Sequence, residues 1–181
     1  MDQGLIPRRY AKALFEEGQQ RGQNAPLYEL MQTLTASFAA APELQQTMSN
    51  PFVADADKVK LILTASGAGD KAPGLFTDFL KLLERNRRVN LIRAIAQAFV
   101  DLYRKENHIY EVVVESAAPL SDAVRKRLTD LIGRHIGDGT LECTFNVNPA
   151  VIGGFTVKVG NELLDASVRT QLQQIRLSLL K

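Results

Sequence analysis

A chain of 181 residues, of which 45% are hydrophobic and 23% charged, can bury one moderate core or two small ones, as globular proteins do. Lys and Arg number 22 against 20 Asp and Glu, and this near balance gives no reason to expect a nucleic-acid partner. One cysteine excludes an internal disulfide framework, and no apolar run approaches the roughly 20 residues of a membrane-spanning helix.

Helical periodicity runs through residues 5–106 and predicts six helices. Pro7 suits the first turn of the first helix, and Gly22 is placed just past its end. Pro26 opens the second helix, and the short third helix follows Pro42.

The fourth helix has two candidate caps, Asp55 and Asp57, whose carboxylates can accept hydrogen bonds from free N–H groups. A loop at 66–73 that contains Gly and Pro separates it from the fifth helix. We expect the fifth helix at about 74–85 and the sixth at about 88–106.

After Asn107 the hydrophobic period changes from that of a helix to that of a strand. A first strand around Val112 is followed by a helix that Ser121 is placed to cap. Cys143 lies on the apolar face of a second strand, where a buried core cysteine is expected. Because a helix separates these two strands, we expect them to be parallel with a right-handed crossover.

The end of the chain has the pattern of a strand, a tight turn, a second strand and a helix start. Gly153 and Gly154 can adopt backbone angles that other residues avoid, and Gly160 can turn the chain. Asp165 or Ser167 can cap the helix. That helix has apolar residues at helical spacing, Val168, Leu172, Ile175 and Leu179.

Together these elements predict a two-domain α+β fold. A six-helix bundle at 1–106 is followed by a small C-terminal β-α-β-β-β-α domain at 107–181, a mixed sheet covered by two helices. Residues 109–181 hold 8 basic and 8 acidic side chains. This neutrality argues against RNA binding, a function that some small domains of this kind have.

No pattern in the sequence predicts catalysis. The phosphate-binding pattern Gly-x-x-x-x-Gly-Lys-Ser/Thr is missing. The two histidines, His108 and His135, have no Cys or acidic residues at metal-binding spacing. We therefore predict no catalytic residue, no metal and no cofactor.

The densest basic cluster is Arg85-Asn86-Arg87-Arg88. One interpretation is helix termination, because Arg is favourable near a helix C-terminus and Asn tolerates a left-handed stop. The other interpretation is a contact with an acidic partner. The sequence favours termination and leaves the partner contact open.

Two helices are more apolar than one buried stripe requires. In the first, Ile6, Tyr10 and Ala13 form a face beside the one expected to meet the core. The fifth is apolar around most of its circumference, through Leu75, Phe76, Phe79, Leu80, Leu82 and Leu83. Such a helix is either the centre of the bundle or has a second partner, and a groove between the two helices would accept an amphipathic helix.

Four motifs span nearly the whole chain. They are Arg9-Tyr10-Ala11-Lys12-Ala13-Leu14-Phe15, Leu82-Leu83-x-x-Asn86-x-Arg88, Val112-x-Val114-x-Ser116-Ala117-x-Pro119-Leu120-Ser121 and Val157-x-x-Gly160-x-x-x-x-Asp165-x-Ser167-Val168-Arg169-x-x-Leu172. In this order they resemble the delta subunit of F-type ATP synthases, a family that includes the mitochondrial oligomycin-sensitivity-conferring protein. Each motif alone is weak, and the four together are specific.

The resemblance implies a non-catalytic stator connector that links the catalytic head to the peripheral stalk and resists rotor torque. It implies that the first and fifth helices bind the N-terminal helices of the alpha subunits, and that the C-terminal domain binds the b subunits. The residues implied for the alpha-binding face are Ile6, Tyr10, Ala13, Phe76, Phe79, Leu80 and Leu83. The structural signature of the C-terminal domain is Gly154, Gly160, Asp165, Ser167, Val168 and Arg169.

The resemblance also implies a peripheral protein at the cytoplasmic face of a bacterial cell membrane, which meets the membrane only through the complex. The N-terminus agrees with this, because it has neither the apolar core of a secretory signal nor room for a transit peptide, although a processed organellar protein would have the same features. The alternatives from other classes are an RNA-binding or other small adaptor module and a small hydrolase.

Overall fold

The structure, a computed structural model, describes residues 4–69, 72–137, 139–151, 153–160, 162–168 and 170. Over these residues it contains seven α-helices, the start of a further helix at Val168 and one four-stranded sheet, which confirms the α+β class. The chain divides into two compact units, Met1–Tyr103 and Arg104–Lys181. The division comes after residue 103, slightly before the boundary at 106 that the sequence suggested.

Six helices build the first unit, and the last of them extends a few residues past its end. They are α1 (Leu5–Gln20), α2 (Asn24–Ala40), α3 (Pro42–Ser49), α4 (Asp55–Ala65), α5 (Gly74–Arg85) and α6 (Ile92–Glu106). A 3-10 turn at Val89–Leu91 precedes α6, where the sequence predicted helix from about residue 88. All six helices contribute to one hydrophobic core, through side chains such as Leu14, Leu34, Met48, Ile62, Phe76 and Phe99.

The second unit is a sheet with helix α7 (Asp122–Ile136) between its first two strands in sequence. The strands are β1 (Ile109–Ser116), β2 (Thr140–Val147), β3 (Gly154–Val159) and β4 (Glu162–Ser167), in the spatial order β2-β1-β3-β4. β1 and β2 are parallel, as predicted, and β3 is antiparallel to both β1 and β4. Val112, Val114, Leu128 and Val157 are the buried centre, and the partly buried Cys143 packs against them.

The turn after α5 corrects one prediction. Asn86 keeps a right-handed conformation with φ of −87°, and the left-handed residue is Arg87, with φ of 55°. The N–H of Arg87 donates to the carbonyl oxygen of Glu84 at 2.9 Å, and the N–H of Arg88 donates to that of Leu83 at 2.8 Å. This pair of bonds is the Schellman arrangement, so the basic cluster does terminate a helix.

Two predicted side-chain caps are wrong. The N-cap of α4 is Ala54, while Asp55 and Asp57 lie inside the first turn, where their charges favour the helix dipole without a capping bond. Ser121 is at the N-cap of α7, as predicted, but the structure shows no capping bond from its hydroxyl. Its carbonyl oxygen instead accepts the N–H of Arg125 at 2.9 Å, the ordinary first bond of a helix.

Glycines shape the last hairpin. Gly154 and Gly160 have φ of 76° and 55°, and Gly160 begins the two-residue connection between β3 and β4. Gly153 serves a different purpose, because a Cβ there would lie 3.1 Å from Cγ2 of Val168. Its missing side chain allows the backbone of Val168 to approach and donate to the Gly153 carbonyl at 2.9 Å.

The helix start after β4 has the predicted cap. Asp165 Oδ1 accepts the N–H of Ser167 at 2.9 Å, and Ser167 Oγ accepts the N–H of Thr170 at 3.3 Å. Ser167 is therefore the N-cap of the helix that begins at Val168. The predicted continuation through Leu172, Ile175 and Leu179, and the signature residue Arg169, lie outside the described residues.

Candidate partner-binding surface

Tyr10 connects α1 to the C-terminal end of α5. Its ring meets that of Phe79 edge-on, with the centroids 6.3 Å apart. Its hydroxyl oxygen accepts hydrogen bonds from Asn86 Nδ2 and Arg88 Nη1, each at 3.1 Å. The guanidinium carbon of Arg88 also lies 5.7 Å from the ring centroid, within range of a cation–π interaction. Tyr10 is thus half-buried and held in place by the chain itself.

The residues around Tyr10 form one surface on α1 and α5. Ile6 and Ala13 lie four residues before and three after Tyr10, so they share its side of α1; Ile6 is half-buried and Ala13 is exposed. Leu82 lies three residues after Phe79, on the side of α5 that Tyr10 contacts, and is 46% exposed. We call this the α1–α5 surface, consisting of Ile6, Tyr10, Ala13, Phe79 and Leu82.

Three residues expected on the partner face lie in the core instead. Phe76, Leu80 and Leu83 are 0% exposed, so no partner can touch them on the folded unit. Phe79 is 6% exposed and reaches the surface only beside Tyr10. The first three therefore support the surface from behind and do not line it.

Leu82 is the surface residue that the sequence reasoning did not select. It was counted among the apolar residues of α5 but not assigned to the partner face. The signal was available, because Asp78 and Arg85 lie four residues before it and three after it on the same side of the helix. Charged neighbours at those positions indicate a face that meets water, and both are exposed.

Four arginines lie next to the α1–α5 surface in sequence, one beside Tyr10 on α1 and three at the C-terminal end of α5. They are Arg9, Arg85, Arg87 and Arg88. All four are exposed, and within the described part of the chain none of them forms an ion pair with a carboxylate. This end of the surface is therefore cationic.

The described residues offer no metal site. No group of three or more His, Cys, Asp or Glu side chains among them could hold a metal ion. Nor is any helix in these parts of the chain both long and apolar enough to cross a membrane.

Comparison with known proteins decides the family. The family model of the ATP synthase delta (OSCP) subunit matches residues 6–179. The chain belongs to the ATP synthase delta (OSCP) subunit family. This confirms the resemblance drawn from the four motifs. It also confirms the predicted class of protein, a non-catalytic subunit of an F-type ATP synthase.

Bacterial relatives of this family match the chain over all or nearly all of its length. The ATP synthase subunit delta of Parabacteroides distasonis is 41% identical over 181 residues, which cover 100% of this chain and 99% of the relative. That of Bacteroides thetaiotaomicron is 34% identical over 176 residues, covering 97% and 94%. A chain in the cryo-EM structure of the Toxoplasma gondii mitochondrial ATP synthase hexamer has the same fold, with a TM-score of 0.73 at 21% identity, covering 97% of this chain and 98% of that one.

Proposed function

We propose that this delta-family chain is the connector of the stator. Its first unit, a six-helix bundle, holds the N-terminal helix of an alpha subunit of the catalytic head. Its second unit, a β-α-β-β-β-α domain, holds the peripheral-stalk b subunits. The connection stops the head from turning with the rotor during proton-driven ATP synthesis, and the complex keeps the chain at the cytoplasmic face of the bacterial membrane.

The α1–α5 surface is the observation that supports binding of the alpha subunit by the first unit. Tyr10 offers an aromatic anchor whose position is already fixed, and Leu82 adds exposed apolar area beside it. Ala13 is small and exposed, so it leaves room for the close approach of a second helix. A connector under fluctuating torque requires slow dissociation, and buried apolar and aromatic anchors supply it.

Binding of the b subunits by the second unit is supported by the family and by exposed apolar side chains of that unit. Val124 and Leu131 on α7 are 43% and 52% exposed, and Leu164 on β4 is 63% exposed. These exposed apolar side chains offer area that a partner could cover.

The test is recovery of partners by the tagged full-length chain from solubilised membranes of Parabacteroides distasonis, whose delta subunit is 41% identical. We expect alpha, beta and b subunits together. Gly160→Val forces a β-branched residue into a left-handed turn, so it should lose the b subunit and keep alpha. Recovery of none of the three subunits by the unmodified chain would refute the proposal.

A further inference from the structure

The arginines beside the α1–α5 surface form no ion pair with any carboxylate among the described residues. We call Arg9, Arg85, Arg87 and Arg88 the arginine end. Carboxylates elsewhere on the same two helices are paired locally. Glu16 lies 3.7 Å from Lys12, and Asp78 lies 3.6 Å from Lys81. The contrast leaves an excess of positive charge at one end of the apolar surface.

Part of the arginine end is ordered before any partner arrives. Arg88 lies against the Tyr10 ring and donates to its hydroxyl oxygen. The backbone of Arg87 is fixed by its bond to the Glu84 carbonyl oxygen and by the next bond of the same turn. A group whose backbone is already ordered loses less entropy when it pairs, so it adds more to the affinity of a partner.

Glu84 forms no ion pair with these arginines among the described residues. It lies two residues after Leu82, which places its Cα about 160° around α5 from that surface residue. Arg85, by contrast, is three residues after Leu82 and shares its side. The exposed guanidinium groups are therefore open to carboxylates of another chain.

We propose that the arginine end selects an acidic segment of the docked helix. The partner is an amphipathic helix whose apolar stripe covers Ile6, Ala13 and Leu82, and whose carboxylates reach Arg85 and Arg87. This inference rests on the proposed alpha-binding function and adds to it the charge and the register of the bound helix. A partner with basic residues at that end meets like charge, so the arginines also reject wrong helices and wrong registers.

The experiment measures binding of a synthetic peptide, the N-terminal segment of the Parabacteroides distasonis alpha subunit, to the full chain by calorimetry. At about 0.1 M and about 1 M salt the Debye length is roughly 10 Å and 3 Å, so a charge-assisted complex weakens between them. The Arg85→Gln, Arg87→Gln double variant should weaken binding roughly three- to tenfold at low salt, the range of two exposed ion pairs. It should also lose most of the salt dependence.

Two controls separate charge from folding. Arg93→Gln changes an exposed arginine of α6 and should leave the affinity unchanged, and melting curves check that every variant stays folded. A peptide with its carboxylates replaced by lysines should bind the Arg85→Glu, Arg87→Glu chain more tightly than the unmodified chain. Recovery of binding by reversing the charges on both partners cannot result from a change in the fold of the chain alone.

The outcomes distinguish this inference from the function on which it rests. If the peptide affinity does not change with salt or in either double variant, the inference is wrong, while the proposed binding of the alpha subunit is still supported. If the unmodified chain binds the peptide at neither salt concentration, the proposed binding of the alpha subunit is wrong, and so is the selection of an acidic helix.

Discussion

At the scale of single residues, Tyr10 is both part of the fold and part of the proposed interface. The sequence placed it on an outer face. The structure shows it half-buried, with its ring on Phe79 and its hydroxyl oxygen bound by two donors from the end of α5. A substitution there changes stability as well as binding, so the two effects must be measured separately.

Tyr10→Phe removes only the acceptor of these two hydrogen bonds and keeps the ring. We expect a loss of about 1 kcal/mol in the free energy of unfolding. Tyr10→Asp removes the ring contact as well and sets a carboxylate against Phe79, with an expected loss of about 2 kcal/mol or more. Urea unfolding of both variants gives the comparison. Equal stability of all three proteins would mean that the ring and hydroxyl contacts contribute nothing to the fold.

Arg87 is a second residue whose conformation predicts a measurable effect. Its φ of 55° is costly for a side chain with a Cβ, by about 1–2 kcal/mol, and glycine removes most of that cost. Arg87→Gly should therefore raise the stability of the first unit by up to about 1 kcal/mol, after the entropy that glycine adds to the unfolded chain. The matched control is Arg85→Gly, inside the last turn of α5, which should lower stability by a similar amount. Two changes of the same sign would contradict the left-handed assignment.

At the scale of elements, the sequence located the helices and strands well and their caps poorly. α5 was predicted at 74–85 and is found there, because its apolar stripe is strong and the residues on both sides of it are loop formers. Side-chain caps were mistaken at Asp55 and Ser121, since a capping residue type shows that a bond is allowed and not that it forms. The bond at Ser167 does form, where the backbone has already been turned by Asp165.

The candidate surface was harder to predict than the elements, for a geometric reason. The apolar residues of α5 predict how much of the helix surface is buried, but they do not predict which neighbouring element covers each side. Leu82 and Leu83 are adjacent in sequence, yet one is 46% exposed and the other 0%. Tyr10 and Arg88 meet across 78 residues of sequence, and no local pattern encodes such a contact.

The cap at Ser167 gives an element-scale prediction. Ser167→Ala removes the acceptor for the Thr170 N–H and should cost the second unit about 1 kcal/mol, while Ser167→Thr keeps an oxygen there and should cost less. Thermal unfolding of both variants, followed in the far ultraviolet, provides the test. An alanine variant as stable as the threonine variant would show that the hydroxyl bond is not used.

At the scale of the whole molecule, the two units differ in length. The second unit, Arg104–Lys181, is the shorter of the two. A shorter unit buries a smaller fraction of its surface on folding, so the second unit should be the less stable one.

We predict two thermal transitions, the lower one from the second unit, and one variant in each unit tests the assignment. A Cβ at Gly139, in the second unit, would lie 2.7 Å from the His108 carbonyl oxygen. Gly139→Ala should therefore lower only the temperature of the lower transition, through an overpacking cost of about 1–3 kcal/mol. Leu34, in the first unit, is 0% exposed, and Leu34→Ala should lower only the temperature of the higher transition, at a cost of about 2–5 kcal/mol. If calorimetry shows one transition that both variants lower, the units do not unfold independently.

Cys143 has a practical consequence of its own. It is the single thiol of the sequence, it lies on β2, and its sulfur accepts a hydrogen bond from Thr129 Oγ1 of α7 at 3.8 Å. Because this thiol is partly buried against the core of the second unit, separation of α7 from the sheet should speed its reaction with a maleimide, and the labelling rate then reports that opening. The thiol is native to the sequence, so its labelling rate can be compared between the free chain and the assembled enzyme, where slower labelling would report a partner that covers or stabilises the second unit.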